Sequence, residues 1–440
     1  MSALPKYERY KDSGVDWLGE IPEHWEAVPN RALLTEQREK VGKYAPDFLL
    51  LSLTLKGVIP RNMENPQGKF PAEFNTYTIV KPDDLVFCLF DVDETPRAVG
   101  HARHHGMITG AYNVYSPTEK INPGYLFYYY LFLDADKRLK PLYTGLRKTI
   151  QRGVFGSAKA PLPPKPEQDR IVAFLDQKTA EIDALIAKKQ RQIELLDEQK
   201  GILINRAVTR GLNPNTKLKP SGIEWIGDIP EHREMKPIKR VKAAKPNAFV
   251  DGPFGSNLKS EHFNLNGEVF VIDSGFATRG KLNQDNAKTT TLKHFMTISR
   301  SEAEAGDLVI AKIGAWYGLC SILPKLAKRA VVSGNSLKLS VDTNYNDRRF
   351  IKEQICYIRR SGGTGILVNS SAQPALSLGG MASLQLACPP PSEQCEIADE
   401  IDRIKLRINK VTTAVKKQIE SIKTLRSTLI AHAVTGRIKV

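Results

Sequence analysis

Two long stretches of this chain carry apolar residues at the spacing of an amphipathic helix. In the second stretch ten positions recur alternately four and three residues apart, and all but Gln418 are apolar, which is the pattern of a coiled-coil seam. This seam consists of Ile397, Ile401, Ile404, Ile408, Val411, Val415, Ile422, Leu425 and Leu429. The first stretch has the same spacing with more polar interruptions, and its apolar positions are Ile171, Leu175, Ile182, Leu185, Leu196 and Leu203. Because a helix with one narrow apolar face needs a partner, we expect the two helices to pair as a coiled coil.

The two helical stretches belong to a tandem duplication of most of the chain. Three pairs of segments match in sequence and in order: 13–24 with 221–232, 163–168 with 389–394, and 207–209 with 433–435. In the first pair, eight of twelve positions are identical. A long internal repeat of this kind implies two equivalent domains. The predicted organisation is a globular segment at 1–162, a helix at 163–211, a second globular segment at 212–388, and a helix with a tail at 389–440.

Each globular segment combines short apolar runs with glycine-rich turns. The runs that predict strands are 49–55 and 85–90 in the first segment, and 269–273, 308–313 and 336–341 in the second. Segments 125–133 and 349–360 are longer and predict helices. The predicted fold class is therefore α+β, with two repeated mixed domains separated by two long helices.

The net charge indicates which kinds of molecule this chain binds, and the cysteine content indicates its redox environment. Among 440 residues, 64 are Lys or Arg and 48 are Asp or Glu, which gives a formal charge of +16. Such a balance favours an anionic partner, nucleic acid first and a membrane surface second. No apolar run is long enough to cross a bilayer, and the first residues do not form a signal peptide. The five cysteines lack metal-binding spacing and are typical of a reducing cytoplasm.

The motifs that suggest catalysis are incomplete. Segment 275–281 fits the glycine-lysine pattern of a phosphate-binding loop, but Leu282 stands where that loop needs Ser or Thr. Asp83, Asp84, Asp91 and Glu94 resemble a nuclease cluster only loosely, because no second motif completes a metal site. A histidine group at 101–105 also lacks further ligands at a suitable spacing. We therefore predict no catalytic residue, no metal and no cofactor in this chain.

Basic and amide side chains in the loops are better candidates for a binding role, since Arg, Lys, Asn and Gln form hydrogen bonds with base edges and phosphates. Two loops at equivalent positions ahead of the long helices contain Arg147, Lys148, Gln151 and Arg152 in the first half, and Asn369, Ser370 and Gln373 in the second. A glycine-rich loop adds Ser256, Asn257 and Lys259. A further group of candidate binding residues consists of Ser52, Thr54, Lys56, Ser274, Arg279 and Lys281.

The ordered pairs of motifs resemble the specificity subunits of type I restriction–modification enzymes. The resemblance covers nearly the whole chain and rests on the two Ser-Gly-x-x-Trp-x-Gly-x-Ile-Pro openings, the Pro-Pro-x-x-Glu-Gln helix starts and the Ala-Val-Thr helix ends. It implies two target recognition domains, held apart by an antiparallel coiled coil, with each domain recognising one half of a split double-stranded DNA site. The implied cytoplasmic partners are two methyltransferase subunits carrying S-adenosylmethionine and two motor–nuclease subunits using ATP and Mg.

Two other classes of protein remain open at this point. A non-catalytic two-domain scaffold would use its coiled coil to recruit proteins and would show no DNA sequence preference. A fused methyltransferase or nuclease would bind a cofactor or metal by itself, although the sequence contains no complete motif for either.

Overall fold

The structure is a computed structural model that describes residues 5–62, 73–143, 148–264, 266–368 and 375–440. The chain divides into two compact units. Unit 1 combines residues 1–191 with residues 415–440, and unit 2 consists of residues 192–414. Each unit therefore contains one globular segment together with parts of both long helices.

The first half of the chain contains twelve strands, two short helices and one long helix within the described residues. The strands are β1 Tyr10–Asp12, β2 Glu20–Pro22, β3 Glu26–Pro29, β4 Leu34–Gln37, β5 Leu51–Thr54, β6 Gly57–Pro60, β7 Thr78–Val80, β8 Leu85–Phe87, β9 Val99–His101, β10 Gly106–Ile108, β11 Asn113–Pro117 and β12 Lys159–Leu162. The helices are α1 Pro123–Ala135, α2 Arg152–Ser157 and α3 Lys165–Arg210.

The second half follows with a comparable order of elements. Its strands are β13 Leu218–Pro220, β14 Asp228–Pro230, β15 Glu234–Pro237, β16 Phe249–Asp251, β17 Val269–Ile272, β18 Thr289–Thr290, β19 Glu302–Ala303, β20 Leu308–Ala311, β21 Cys320–Ile322, β22 Arg329–Val332, β23 Ser336–Leu339 and β24 Gln385–Cys388. The helices are α4 Ser274–Arg279, α5 Leu292–Thr297, α6 Arg348–Arg360, α7 Leu378–Ser383 and α8 Pro391–Val434. All the strands and helices predicted above occur, with ends that differ by a few residues.

The central sheet has the same strand order in both units. It is β4-β11-β8-β9 in unit 1 and β16-β23-β20-β21 in unit 2, and every pair within it is antiparallel. A second sheet in unit 2, β18-β17-β22-β19, contains one parallel pair between β17 and β22. Unit 1 contains a smaller version of this second sheet. In it, β10 pairs antiparallel with β7, and a parallel bridge joins Leu50 to Met107. The duplication read from the sequence is therefore also a duplication of topology.

The long helices pair in opposite directions within each unit, which confirms the antiparallel coiled coil. In unit 1, Ile171 and Leu175 near the start of α3 share a core with Ile430, Ala433 and Val434 at the end of α8. In unit 2 the roles are exchanged: a core joins the end of α3 to the start of α8 through Ile204, Ala207, Val208, Ile397, Ala398 and Ile401. Among the helices of the described residues, none combines the length and apolar character that a bilayer crossing requires.

The buried face of these helices departs from the predicted seven-residue pattern. Four predicted seam residues are substantially exposed: Leu185, Leu203, Val411 and Leu425. The buried positions instead follow two series of isoleucines spaced eleven residues apart, Ile171, Ile182, Ile193 and Ile204 in α3, and Ile397, Ile408, Ile419 and Ile430 in α8. All of them are buried except Ile182, which is partly buried.

The physical reason for this departure is the pitch of the α-helix. A seven-residue repeat drifts by about 20° per heptad around a straight helix, whereas an eleven-residue repeat corresponds to about 3.67 residues per turn. Over helices of 46 and 44 residues, a strict seven-residue seam would rotate off the contact face unless the pair supercoiled strongly. Of the predicted seam residues, Ile171, Leu175, Ile397, Ile401, Ile408 and Val415 are buried. The residues Ile193, Ile204, Ile419 and Ile430 are buried as well, although they were not among the predicted seam positions.

Candidate nucleic-acid interface

The motifs that the sequence repeats meet at one structural joint in each unit. In unit 1, the carboxylate of Glu167 at the start of α3 accepts hydrogen bonds from His24 Nε2 at 2.9 Å, from Trp25 Nε1 at 3.2 Å and from the Tyr7 hydroxyl. In unit 2, Glu393 at the start of α8 binds His232 Nε2 at 2.6 Å and Arg233 Nη2 at 2.8 Å. The opening motif of each half is thus fastened to the helix that follows the same half.

A buried glutamine completes each joint. The side-chain oxygen of Gln168 accepts from the backbone N–H of Asn122 at 2.6 Å, and its amide donates to the carbonyl of Pro163 at 2.8 Å. Gln394 makes the equivalent bonds to the N–H of Asp347 at 3.0 Å and to the carbonyl of Pro389 at 3.0 Å. Asn122 and Asp347 are the N-caps of α1 and α6, so each glutamine ties a long helix to a helix of the globular segment.

The ends of the long helices reach the same joints. Gly211, which follows α3, has φ +77°, in the left-handed region that glycine tolerates, and it lies against the side chains of Arg233 and Glu393. The fully buried guanidinium of Arg233 donates to the carbonyls of Val208 at 2.6 Å and Thr209 at 3.0 Å, which satisfies the C-terminus of α3. Burial lowers the pKa of Arg233, and the Glu393 carboxylate opposes this shift. These repeated residues build the frame and leave little surface for a ligand.

The candidate binding residues of unit 2 lie elsewhere, where loops leave the strands of the two sheets. Loop 252–259 follows β16, α4 follows β17, and loop 312–319 joins β20 to β21. A cavity of about 500 Å³ is lined by the first loop together with Ser274 and Lys312. An adjoining cavity of about 540 Å³ is lined by Ser274, Thr278, Arg279 and Trp316. The structure therefore brings the glycine-rich loop, through Gly252–Gly255 and Leu258, next to Ser274, whereas Arg279 lines only the adjoining cavity and Ser256, Asn257 and Lys259 line neither.

Loop 252–259 is anchored while its polar side chains stay exposed. A Cβ on Gly252 would lie 1.9 Å from the carbonyl oxygen of Ser333, so only glycine allows the loop to pass so close to that backbone. At the other end, His294 Nε2 lies 2.9 Å from the carbonyl oxygen of Asn257, and the N–H of Lys259 donates to His262 Nδ1 at 3.0 Å. The two imidazole rings stack with their centroids 3.9 Å apart. This support limits the entropy that the loop would lose on binding a ligand.

Unit 1 has smaller loops at the corresponding place. Thr54 closes the β5–β6 turn, since its hydroxyl donates to the carbonyl of Gly57 at 3.0 Å and accepts from the N–H of Lys56 at 3.1 Å. Lys56 is exposed at the tip of this hairpin, and Ser52 is partly buried on β5. The hairpin contacts the β8–β9 loop, because Arg97 Nη2 donates to the carbonyl of Leu55 at 3.0 Å.

The loop ahead of α3 lies beside the β8–β9 loop as well. The N–H of Ile150 donates to the carbonyl of Leu89 at 2.8 Å. Lys148 has φ +44° and lies 3.2 Å from Glu94 and 3.4 Å from Asp93, and the bond to Glu94 raises its pKa. Arg152 Nε lies 3.1 Å from Glu36, and the exposed Gln151 precedes α2. Four predicted binding residues lie outside the described residues, namely Arg147, Asn369, Ser370 and Gln373.

The motifs that suggested catalysis have structural roles. In segment 275–281, α4 ends at Gly280 with φ +67° and Lys281 follows the helix, whereas a phosphate-binding loop needs the helix after the lysine. Asp84 and Asp307 each accept a hydrogen bond from the backbone N–H three residues earlier, which closes a turn ahead of a core strand. His101 is buried against Asp83 at 2.9 Å, and burial lowers its pKa. Across the described residues no group of side chains is arranged to hold a metal ion.

Three residues of the unit 2 loop cluster were not among the predicted binding residues. Phe254 and Trp316 are strongly exposed, and Lys312 lies 3.4 Å from Asp251 at the base of the cavity. The available signal was segment 314–318, in which two glycines bracket an aromatic pair between two strands. Both glycines have positive φ, so the segment forms a tight turn that presents Trp316 at its tip.

Known proteins with similar sequences are specificity subunits of type I restriction enzymes. Residues 108–195 match the family described as "Type I restriction modification DNA specificity domain". The MjaVIII specificity subunit of Methanocaldococcus jannaschii is 24% identical over 72% of this chain and 70% of its own length. The EcoKI specificity subunit of Escherichia coli K12 is 20% identical over 96% of this chain and 90% of its own length.

Solved structures agree at the level of the fold. A chain from a study of assembly and conformational transition in the type I R-M system has a TM-score of 0.66 at 12% identity, covering 94% of this chain and 98% of that one. The HsdS subunit of Thermoanaerobacter tengcongensis has a TM-score of 0.51 at 12% identity, with coverage of 95% and 98%. In sequence and in fold, the chain is therefore similar to the specificity subunits of type I restriction–modification enzymes.

Proposed function

We propose that this chain recognises a bipartite double-stranded DNA sequence, with each globular segment recognising one half. The main support for this proposal is that the two units share a common frame, namely the central sheet and the joint to the long helices, but differ in their loops. Both units share the central sheet order and the same joint to the long helices, yet a two-strand hairpin in unit 1 replaces the strand and helix, β17 and α4, of unit 2. A frame that is repeated while its loops differ suits two readers of different sequences.

The exposed chemistry of the loops fits a DNA duplex. Lys56, Lys259 and Lys281 carry charges that suit phosphates, and Ser256 and Asn257 offer hydrogen-bonding groups that suit base edges. Within the described residues Arg279 has no carboxylate partner, so its guanidinium is available for a base or a phosphate. The net charge of +16 provides attraction that does not depend on sequence.

The chain acts in this proposal as a non-catalytic subunit. Its partners are two methyltransferase subunits that use S-adenosylmethionine and two motor–nuclease subunits that use ATP and Mg, and the assembly works in the cytoplasm. The joints at Glu167 and Glu393 give the two halves equivalent frames, which supports one methyltransferase for each half. The chain would then direct adenine methylation or ATP-dependent cleavage without contributing a reacting group.

The direct test is a map of methylated adenines in DNA from cells that express this chain with the methyltransferase subunit of its system. We expect one split motif, two short specific sequences separated by a fixed nonspecific gap, that disappears when the chain is deleted. Binding of the purified complex to that motif should exceed its binding to a scrambled duplex by at least about 1,000-fold. Equal binding to the two duplexes would instead support a scaffold that only recruits proteins.

A further inference from the structure

Trp316 is more exposed to solvent than is favourable for a large aromatic side chain. Of the four tryptophans, Trp25 is fully buried and Trp17 and Trp225 are partly buried, whereas 66% of the surface of Trp316 is accessible. A large aromatic side chain gains free energy when it leaves water, so an exposed tryptophan in a binding loop indicates a contact surface.

The backbone beneath Trp316 is held rigidly. The guanidinium of Arg359 donates to the carbonyls of Tyr317 at 2.6 Å and Ala315 at 3.1 Å, and it stacks on the Tyr317 ring at 4.3 Å. The N–H of Leu376 donates to the carbonyl of Lys312 at 2.9 Å, which holds the end of the loop that follows β20. Hydrogen bonds therefore hold the backbone of this loop at Lys312, Ala315 and Tyr317 while the Trp316 side chain stays exposed, as is typical of a preorganised binding anchor.

The surroundings of Trp316 suit a nucleotide. The indole forms one wall of the 540 Å³ cavity, and Arg279 and Thr278 line the same cavity. The Arg279 guanidinium lies over Gly275, where an added Cβ would come within 2.7 Å of it, so a glycine at 275 gives the arginine room to lie there. A flat apolar face next to a cation matches the two components of a nucleotide, a base or sugar and its phosphate.

We propose that Trp316 packs against a base of the DNA half-site recognised by unit 2, with Arg279 contacting the adjacent phosphate. This inference rests on the proposed function and assigns one anchor residue within it. The contact makes recognition depend on how readily the base step beside Trp316 unstacks, in addition to hydrogen bonds at base edges.

The test compares variants of the full chain in complex with its methyltransferase subunit, on the mapped site and on a scrambled duplex. Trp316→Ala should weaken binding to the mapped site about 10- to 100-fold, since base–aromatic stacking contributes about 1–3 kcal/mol per base. Trp316→Phe should recover most of the loss. Tyr345→Ala is the matched control, because Tyr345 is 70% exposed in the same unit but lies beside the Gln394 joint.

A second measurement needs no substitution. Because Trp316 is the most exposed of the four tryptophans, we expect acrylamide to quench its fluorescence most strongly in the free protein. The mapped site should protect that fluorescence, and the scrambled duplex should protect it less. Unchanged affinity of Trp316→Ala together with unprotected fluorescence, while the wild-type complex still discriminates between the duplexes, would overturn the inference and leave the proposed function standing. Failure of the wild-type complex to discriminate would instead overturn the proposed function.

Discussion

Adjacent residues in α3 offer a sharp test of the eleven-residue seam. Ile204 is 3% exposed in the core where α3 meets the start of α8, whereas its neighbour Leu203 is 36% exposed. A seven-residue seam would place Leu203 in the contact and Ile204 outside it. The two substitutions Ile204→Ala and Leu203→Ala therefore distinguish the two patterns within one turn of one helix.

The expected magnitudes follow from burial. Ile204→Ala removes three buried carbons at about 0.8 kcal/mol each and leaves a cavity, so we expect a loss of roughly 3 kcal/mol in the free energy of unfolding. Leu203→Ala removes a side chain at a surface that can relax and leaves a strong helix former, so we expect about 1 kcal/mol or less. At about 2–4 °C per kcal/mol, the Tm should fall by roughly 6–12 °C for the first and by at most about 4 °C for the second.

Urea unfolding followed by far-UV circular dichroism measures both losses on the full-length chain. The wild type and both variants should be compared at one protein concentration, with Tm values from the same samples. A loss for Leu203→Ala that equals or exceeds the loss for Ile204→Ala would refute the eleven-residue seam and restore the seven-residue one.

Three further substitutions test the joint and the proposed interface. Gln394→Ala should lower the free energy of unfolding by roughly 2–3 kcal/mol, because it leaves the buried Asp347 N–H and Pro389 carbonyl without hydrogen-bond partners. Gln418 is exposed, so the control Gln418→Ala should unfold like the wild type. Lys259→Ala should weaken binding to mapped and scrambled duplexes equally and lower the salt slope by roughly one unit, with the exposed Lys325→Ala as its control. Gln151→Ala should cost about 1–3 kcal/mol on the mapped site and little on scrambled DNA, and an equal loss on both would make Gln151 a phosphate contact.

The sequence predicted those parts of the fold that repeat. Two copies of a motif constrain each other, so the opening segments, the helix starts and the helix ends could be aligned before any contact was known. Their role was less accessible, because Glu167, Gln168 and Arg233 act through partners that are distant in the chain. Burial of Arg233 in particular depends on the carbonyls of Val208 and Thr209, and no local pattern at 233 indicates them.

The candidate site shows where sequence reasoning stops. Single loops such as 251–259 could be selected by residue type, but the convergence of loop 252–259, α4 and loop 312–319 depends on how β16, β17 and β20 are ordered in two sheets. Strand order of that kind is set by long-range pairing, which residue periodicity does not encode. For Trp316, the bracketing glycines at 314 and 318 indicate a turn, but the exposure of its side chain depends on the assembled loops.

The central claim is that each half of the chain recognises its own half of the DNA site. Replacement of residues 13–162 with the equivalent segment of a specificity subunit of different target, followed by mapping of methylated adenines, tests this claim most directly. The exchange keeps the joint, because Glu167 and Gln168 stay in place and the incoming segment supplies its own opening motif. We predict that one half of the split motif changes to that of the donor while the other half and the gap between them stay the same. A change in both halves, or in neither, would contradict the account.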